Sequence, residues 1–137
     1  MTEQYSIVEN NTNFLVVYKK PGVSFHSENG RGLFESIKQL EKLEELYPVH
    51  RLDKVTSGLL VMAKTAHANL QLTQQFKLRL VEKFYIAISE KKPKKKQGLI
   101  RGDMTPARRG AWKLTLSVEN PAITQFFQEI LRLGNFD

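Results

Sequence analysis

The segment HRLDKVTSG at residues 50–58 contains the side chains of this chain that are best suited to chemistry. It lies between Pro48 and an apolar stretch, and loops held by rigid strands are where functional sites are commonly built. Asp53 is not a core residue type, and Arg51 would share its face if the segment is extended. Residue types alone favour a simpler interpretation, a surface ion pair between Arg51 and Asp53 beside an ordinary turn.

The residues that follow Asp53 would hold this loop in one conformation. Thr56 and Ser57 supply two hydroxyls for local hydrogen bonds to the backbone, and Gly58 is free to adopt a positive φ. The sequence places no phosphate-cradling glycine-rich loop, metal-ligand set or second carboxylate with Asp53, which argues against an aspartate-based hydrolase.

Short β-branched and aromatic runs predict the strands that position the loop. Residues 14–19, FLVVYK, lie between two turn-forming segments and could form a hairpin with residues 5–8. Residues 59–63 predict a buried strand directly after Gly58. Two further strands, separated by a turn, are predicted at residues 111–118 and 122–127.

Apolar residues at steps of three or four predict two amphipathic helices. The first covers residues 33–46 and is stopped by Pro48, and the second covers about residues 66–77 with Thr65 as its N-cap. Because strands outnumber these helices, the predicted fold class is α+β, a largely antiparallel sheet with inserted helices.

In residues 82–89 the apolar spacing changes to every second residue. Phe84, Ile86 and Ile88 alternate with smaller or polar residues and with Tyr85. This period predicts a half-buried strand that presents Tyr85 on the face opposite the apolar set.

The excess positive charge is concentrated in one stretch. The nine Lys and Arg residues between Glu90 and Lys113 outnumber the two acidic residues there, so the stretch carries the whole net charge of +7. Such a loop is typical of a surface that follows the phosphates of a nucleic acid. A solvated loop whose lysines prevent aggregation would have the same composition. The basic residues of the stretch are Lys91, Lys92, Lys94, Lys95, Lys96, Arg101, Arg108, Arg109 and Lys113.

Composition narrows the functional classes. A length of 137 residues corresponds to a single domain, residues 1–137. The chain has no cysteine and only three histidines, which excludes disulfides and thiolate chemistry and argues against a structural metal site. The first twenty residues show no secretory leader, and no apolar run approaches the roughly 20 residues that span a bilayer, so we expect a cytoplasmic protein without membrane contact.

Four segments, taken together, resemble the RluA-type pseudouridine synthase family. HRLDKVTSGLLVMAK at residues 50–64 is similar to the family signature, which has an HRLD, then a Thr-Ser-Gly, then an apolar strand ending in Ala-Lys. FLVVYKKPGVSFH at residues 14–26 resembles its Lys-Pro-Gly strand and turn, and QFKLRLVEKFYIAI at residues 75–88 resembles its Lys-x-Tyr-x-Ala strand. NPAITQFF at residues 120–127 resembles the segment after the family's variable loop, so the match runs in order through most of the chain.

The resemblance implies a pseudouridine synthase-like catalytic domain that isomerises uridine to pseudouridine in structured rRNA or tRNA without a cofactor. It implies that Asp53 is the essential carboxylate, either as nucleophile at the anomeric carbon or as base at the neighbouring ribose carbon. Arg51 would enter the space that the extruded nucleotide leaves, and Tyr85 would lie against the flipped uracil.

The remaining motif residues receive supporting roles. His50, Thr56, Ser57 and Gly58 are interpreted as structural, and Lys20 as a residue of the turn that contacts phosphate. The candidate RNA-binding residues are therefore Lys20, Arg51, Tyr85, Lys94, Lys95, Lys96, Arg108 and Arg109.

The resemblance stops before the end of the family's catalytic domain. Family members continue into another strand and a Gly-Arg-Thr-His-Gln-type motif, which residues 128–137 do not match. We therefore expect Asp53 to lack the cation that this region places beside it, and apolar residues such as Phe126 and Phe127 to be uncovered and open to a second chain or the missing half. Two functions stay open, an active RNA pseudouridine synthase and an inactive RNA-binding fragment of one.

Overall fold

A computed structural model of the chain describes residues 4–26, 30–108 and 111–128. The described residues up to Phe84 and those from Tyr85 onward form two compact units. The first unit contains the loop with Asp53, and the second contains the basic stretch.

The first unit is built on a four-stranded antiparallel sheet. Its strands are β1 (Tyr5–Asn10), β2 (Phe14–Lys19), β3 (Tyr47–Pro48) and β4 (Gly58–Ala63), in the spatial order β1-β2-β4-β3. The Asn11 side chain closes the β1–β2 turn by accepting hydrogen bonds from the backbone N–H groups of Asn13 and Phe14, at 2.9 and 3.0 Å. The predicted hairpin and the predicted strand at residues 59–63 are both confirmed.

One face of this sheet forms the core of the unit. Leu15 and Val17 on β2 and Leu60 and Met62 on β4 alternate with outward-facing neighbours, as a strand requires, and are fully buried. The helix α1 (Leu33–Leu40) contributes its buried face to the same cluster. The other buried members are Tyr5, Phe25, Leu33, Ile37, Leu46 and Leu52.

The helix α2 (Ala66–Lys77) follows β4 and has the predicted bounds. The Thr65 hydroxyl accepts a hydrogen bond from the Ala68 N–H at 3.1 Å, which confirms the predicted N-cap. On this helix Ala68 is buried, whereas Leu70 is exposed.

The prediction of a helix over residues 33–46 is wrong beyond Leu40. The chain turns there because Lys42 adopts the left-handed conformation (φ 51°), which lets the Leu43 N–H donate to the Lys38 carbonyl at 3.0 Å. Leu43 and Leu46 still pack on the core from the following loop. The apolar spacing of Leu43 and Leu46 therefore reflects their packing on the core and not a continuation of the helix.

The prediction of a strand over residues 82–89 is also wrong. Residues 80–96 form neither helix nor strand, and Phe84, Ile86 and Ile88 are exposed. A strand satisfies its backbone groups only through a neighbouring strand, and the described residues offer none here. The alternating pattern is present without the partner that would make it a strand.

The second unit contains two separate antiparallel pairs. The strand β5 (Gln97–Gly102) directly follows Lys94, Lys95 and Lys96. The strands β6 (Met104–Pro106) and β7 (Trp112–Leu114) pair with each other. β8 (Ala122–Phe127) has the predicted bounds and pairs with β5. The predicted strand at residues 111–118 shortens to β7, because the chain then turns around Asp103, whose carboxylate accepts hydrogen bonds from the Ser117 hydroxyl and the backbone of residues 119–120.

Candidate active site

The loop that contains Asp53 lies at one end of the four-stranded sheet. Lys19 pairs with Gly58 in the antiparallel β2–β4 ladder, so the turn after β2 and the loop before β4 meet at this end. The Gly22 N–H donates to the Lys54 carbonyl at 2.8 Å and joins the two segments directly. The Lys-Pro-Gly turn and the HRLD loop, which are distant in sequence, are therefore one structural feature.

Within the loop, Leu52 is the anchor and its two neighbours face outward. The Leu52 side chain is buried in the core cluster, whereas Arg51 and Asp53 are exposed. The Asp53 carbonyl accepts a hydrogen bond from the Thr56 N–H at 3.0 Å, which closes a tight turn. Gly58 then enters β4 with a φ of 147°, a conformation that other residues rarely adopt. The loop thus presents Asp53 to solvent on a constrained backbone.

Lys19, for which no role was predicted, joins the turn after β2 to the loop before β4 by hydrogen bonds. Its side chain is fully buried, and its ammonium donates to the carbonyls of Lys20, Val23 and Lys54 at 3.1, 2.9 and 3.0 Å. Burial lowers the pKa of Lys19, while the negative charge of Asp53 acts to raise it. Asp53 therefore has a buried cation close enough to interact with it electrostatically.

The sequence contained a signal for Lys19 that alternation could have revealed. Leu15 and Val17 face the core, so the period of two places Lys19 on the same inward face. Lys20, which the resemblance interprets as a phosphate contact, has an exposed side chain. A lysine in an inward strand position is rare enough to indicate a specific hydrogen-bonding role.

His50 connects the start of the loop to β4 and α2. Its Nε2 accepts a hydrogen bond from the Val61 N–H at 3.0 Å, and its ring stacks on Phe76 with centroids 4.7 Å apart. Burial, followed by the positive charge of Lys83, lowers the pKa of His50. The imidazole is therefore held neutral, with Nε2 as the acceptor.

We expect His50 to make the first unit less stable in mild acid. Its pKa is lower in the folded protein than its ordinary value of 6.5, so the unfolded chain takes up a proton first as the pH falls below that value. The free energy of unfolding then decreases until the pH reaches the folded pKa, where protonation of Nε2 also removes the bond from Val61. Urea denaturation at pH 7.5, 6.5 and 5.5 measures the slope, and His50→Gln should be flatter than wild type. His67 is exposed on α2, and His67→Gln should keep the wild-type slope. If His67→Gln flattened the slope as much as His50→Gln does, this assignment would be contradicted.

A basic cavity of about 270 Å³ borders the same turn. His26, Arg31 and Lys54 contribute its ionisable side chains, and Gly22 contributes open backbone. None of the described lining residues is acidic. This part of the first unit is therefore suited to an anionic ligand.

The other predicted site residues belong to the second unit. Tyr85 is 61% exposed and lies in the segment without secondary structure. Lys94, Lys95 and Lys96 are exposed in the bend before β5, and Arg108 is exposed after β6. Arg109 lies outside the described residues. The first unit thus contains Lys20, His50, Arg51, Asp53 and the Thr-Ser-Gly residues 56–58. The second unit contains Tyr85 and the described residues of the basic stretch.

Two general features of the described chain bear on its chemistry. In residues 4–26, 30–108 and 111–128, no helix has the length and apolar character needed to cross a membrane. The same residues contain no group of three or more His, Asp or Glu side chains that could hold a metal ion.

Comparison with known proteins supports the resemblance carried by these segments. Residues 13–129 match the RNA pseudouridylate synthase family. A protein of Haemophilus influenzae named uncharacterized RNA pseudouridine synthase is 43% identical over 124 residues, which cover 90% of this chain and 55% of that protein. Ribosomal large subunit pseudouridine synthase C of Rickettsia bellii is 33% identical over 118 residues, covering 84% of this chain and 39% of that protein.

The fold agrees with solved structures of the same group. Human RNA Pseudouridylate Synthase Domain Containing 1 aligns with a TM-score of 0.60 at 21% identity, over 91% of this chain and 51% of that one. Human RNA Pseudouridylate Synthase Domain Containing 4 aligns with a TM-score of 0.56 at 20% identity, over 88% of this chain and 51% of that one. The α+β prediction is confirmed, and the chain spans about half the length of the relatives it matches. With a family match over residues 13–129, this chain belongs to the RNA pseudouridylate synthase family.

Proposed function

We propose that this chain carries the catalytic aspartate of an RNA pseudouridine synthase acting on structured rRNA or tRNA in the cytoplasm. The observation that carries the proposal is the HRLD loop, which Lys19 and the Lys-Pro-Gly turn hold at the end of the sheet with Asp53 exposed. A catalytic group needs both a rigid support and access to its substrate, and this loop has both.

The reaction requires one bond to be broken and one to be formed at the same ribose carbon. The bond from the anomeric carbon to N1 of uracil breaks, the base rotates, and the anomeric carbon joins C5. C5 then loses its proton to solvent and N1 takes up a proton, so that the product is an isomer of uridine. Asp53 acts in its ionised form, as nucleophile at the anomeric carbon or as base at the neighbouring carbon.

Two further side chains receive roles at the nucleotide. Arg51 faces outward beside Asp53 and enters the space that the extruded nucleotide leaves in the RNA. Tyr85 stacks on the uracil, which requires residues 82–88 to adopt the strand that the alternating pattern indicates. The basic lining near Lys54 supports contact with the RNA backbone on the Asp53 side.

Release of tritium tests the activity directly. RNA labelled at C5 of uridine is incubated with the purified chain and with Asp53→Asn, and release above that variant shows pseudouridine formation. Release equal to that of the variant, from protein that is folded and binds RNA, contradicts activity of this chain. It would favour the second candidate, an inactive RNA-binding fragment, which is suggested by the chain spanning about half of its relatives.

RNA binding through Lys94, Lys95 and Lys96 is a separate prediction. Replacing Lys94, Lys95 and Lys96 with Ala should weaken binding at low salt and make the dependence of log K on log[salt] shallower by about 2, because each lost phosphate contact removes roughly 0.7 from the slope. Fluorescence anisotropy between 50 and 250 mM KCl measures both effects. Lys38→Ala/Lys77→Ala, which removes two cations from the helices of the first unit, is the control and should change the slope by less than half as much. Equal slopes in wild type and the triple variant would contradict phosphate contact by this run.

A further inference from the structure

Trp112, the only tryptophan of the chain, lies on an exposed hairpin in the basic stretch. The hairpin consists of β6 and β7, and Trp112 on β7 is paired with Pro106 on β6. The indole side chain is 57% exposed, although tryptophan is on average a highly buried residue type. A large aromatic surface is therefore held out to solvent on a paired strand.

Pairing places this ring on an apolar face of the hairpin. Residues that lie opposite one another in an antiparallel pair share a face, as do alternate residues along one strand. Trp112 thus shares its face with Met104 and Leu114, which are also exposed. Lys113, whose partner is Thr105, belongs to the opposite face. The indole is therefore the largest member of an open apolar surface.

Hydrogen bonds constrain the backbone at both ends of the hairpin. At the loop end, the Ala107 N–H donates to the Ala111 carbonyl at 2.8 Å, and the Ala111 N–H donates to the Arg108 carbonyl at 3.2 Å. At the other end, the Asp103 carbonyl accepts a hydrogen bond from the Thr115 N–H at 2.8 Å. A ligand that stacks on Trp112 therefore meets a backbone that is already ordered, which lowers the entropy cost of binding.

The charge around Trp112 is positive. The nearest acidic residues along the sequence are Asp103 and Glu119. The Asp103 carboxylate accepts hydrogen bonds in the turn at residues 117–120, at the end of the hairpin away from its loop. Three cations lie within four residues of the indole along the chain: Arg108, Arg109 and Lys113. An exposed indole among cations offers unpaired nucleic acid a stacking surface for a base and charge for its phosphates.

We propose that Trp112 is the stacking platform for an unpaired base of the RNA substrate, while the neighbouring arginines and lysine neutralise the adjoining phosphates. A base within a duplex has both faces covered by its neighbours, so only a base in a loop, a bulge or a single strand can lie on the indole. The inference rests on the proposed function for its ligand, RNA. It adds recognition of an unpaired base to the contact by charge alone.

A protein surface is a poorer occupant of this face. An apolar protein partner would have to bring acidic groups to the same cations, and a second copy of this chain would bring its own cations towards them. Unpaired RNA supplies an apolar base and a negative phosphate in each nucleotide, which matches the combination on the hairpin.

The fluorescence of Trp112 tests the stacking directly, because the tryptophan emission of this chain comes from one indole. The intact chain is titrated with a short unpaired RNA, with the duplex of that RNA and its complement, and with a ribose-phosphate strand of the same length that has no bases. We expect the unpaired RNA to remove about half of the emission at saturation, since the base then lies on the ring. The duplex and the strand without bases should bind with little quenching.

Substitutions separate stacking from charge. Trp112→Ala should weaken binding of the unpaired RNA roughly tenfold, a typical loss for one base–aromatic stack. Its dependence of log K on log[salt] should equal that of wild type, because no cation is removed. Trp112→Phe keeps a ring and should recover most of the affinity. Leu116→Ala removes a fully exposed apolar side chain of the same unit and should leave the affinity within about twofold of wild type.

Four outcomes would overturn the proposal. They are binding of unpaired RNA without quenching, equal quenching by the strand without bases, equal losses in Trp112→Ala and Leu116→Ala, and shielding of the indole from acrylamide in the RNA-free chain, where a second copy covers it. The proposed activity is measured separately by tritium release. Quenching without release would contradict activity and leave the platform in place, whereas release without quenching would contradict the platform alone.

Discussion

Replacing Asp53 with Asn is expected to reduce tritium release from C5-labelled RNA to the level without enzyme, while RNA affinity stays within twofold of wild type. The amide keeps the size of the carboxylate but removes the negative charge, and neither a nucleophile nor a base can then act at the ribose. The measurement is single-turnover release from bulk rRNA and tRNA.

Asp53→Asn should remove the negative charge without disturbing the fold. Asp53 is exposed, and its contribution to the turn is the backbone carbonyl that accepts from Thr56, which the substitution retains. The free energy of unfolding should therefore change by less than about 0.5 kcal/mol, as at other surface positions. An Asp53→Asn protein that still forms pseudouridine would remove Asp53 from the mechanism, and one that loses RNA binding would make it a binding residue.

Replacing Lys19 with Met is expected to lower the free energy of unfolding of the first unit by about 3 kcal/mol. The carbonyls of Lys20 and Val23 lose this donor, while the Lys54 carbonyl keeps the Gly22 N–H. A polar group left unsatisfied in the interior costs roughly 1–3 kcal/mol, and the apolar side chain that replaces a buried charge offsets part of this loss. Urea denaturation followed by circular dichroism measures the change.

The neighbouring lysine provides the matched control for this prediction. Lys20→Met removes the same charge one residue away, but the Lys20 side chain is exposed, so the change in stability should stay within about 0.5 kcal/mol. Similar losses in the two variants would mean that net charge and not the buried ammonium is responsible. Lys19→Met should also quicken hydrogen exchange at the Gly22 amide, whose acceptor is the Lys54 carbonyl that Lys19 holds.

The electrostatic role of Lys19 modifies one expectation drawn from the sequence. Because the family's C-terminal basic motif is unmatched, Asp53 was expected to lack a cation. The structure supplies one from the buried face of β2, and the attraction between the two charges acts on the pKa of Lys19. The first unit therefore has part of the electrostatic support that a reactive carboxylate needs.

The sequence by itself determined the elements whose signals are local. Alternating apolar residues and flanking turns identified β2 and β4, and the Thr65 hydroxyl identified the start of α2, because strand alternation and N-capping depend on residues a few positions apart. The family followed from four ordered segments, and the family comparison agrees with it.

Tertiary structure alone decided the features that depend on distant partners. Leu43 and Leu46 are apolar because they pack on the core, so their spacing could not indicate that the helix ends at Leu40. The ammonium of Lys19 finds an acceptor at Lys54, 35 residues away, which no local pattern specifies. Residues 82–88 carry the pattern of a strand but lack a neighbour within the described chain, because strand formation requires backbone partners that only another segment can provide.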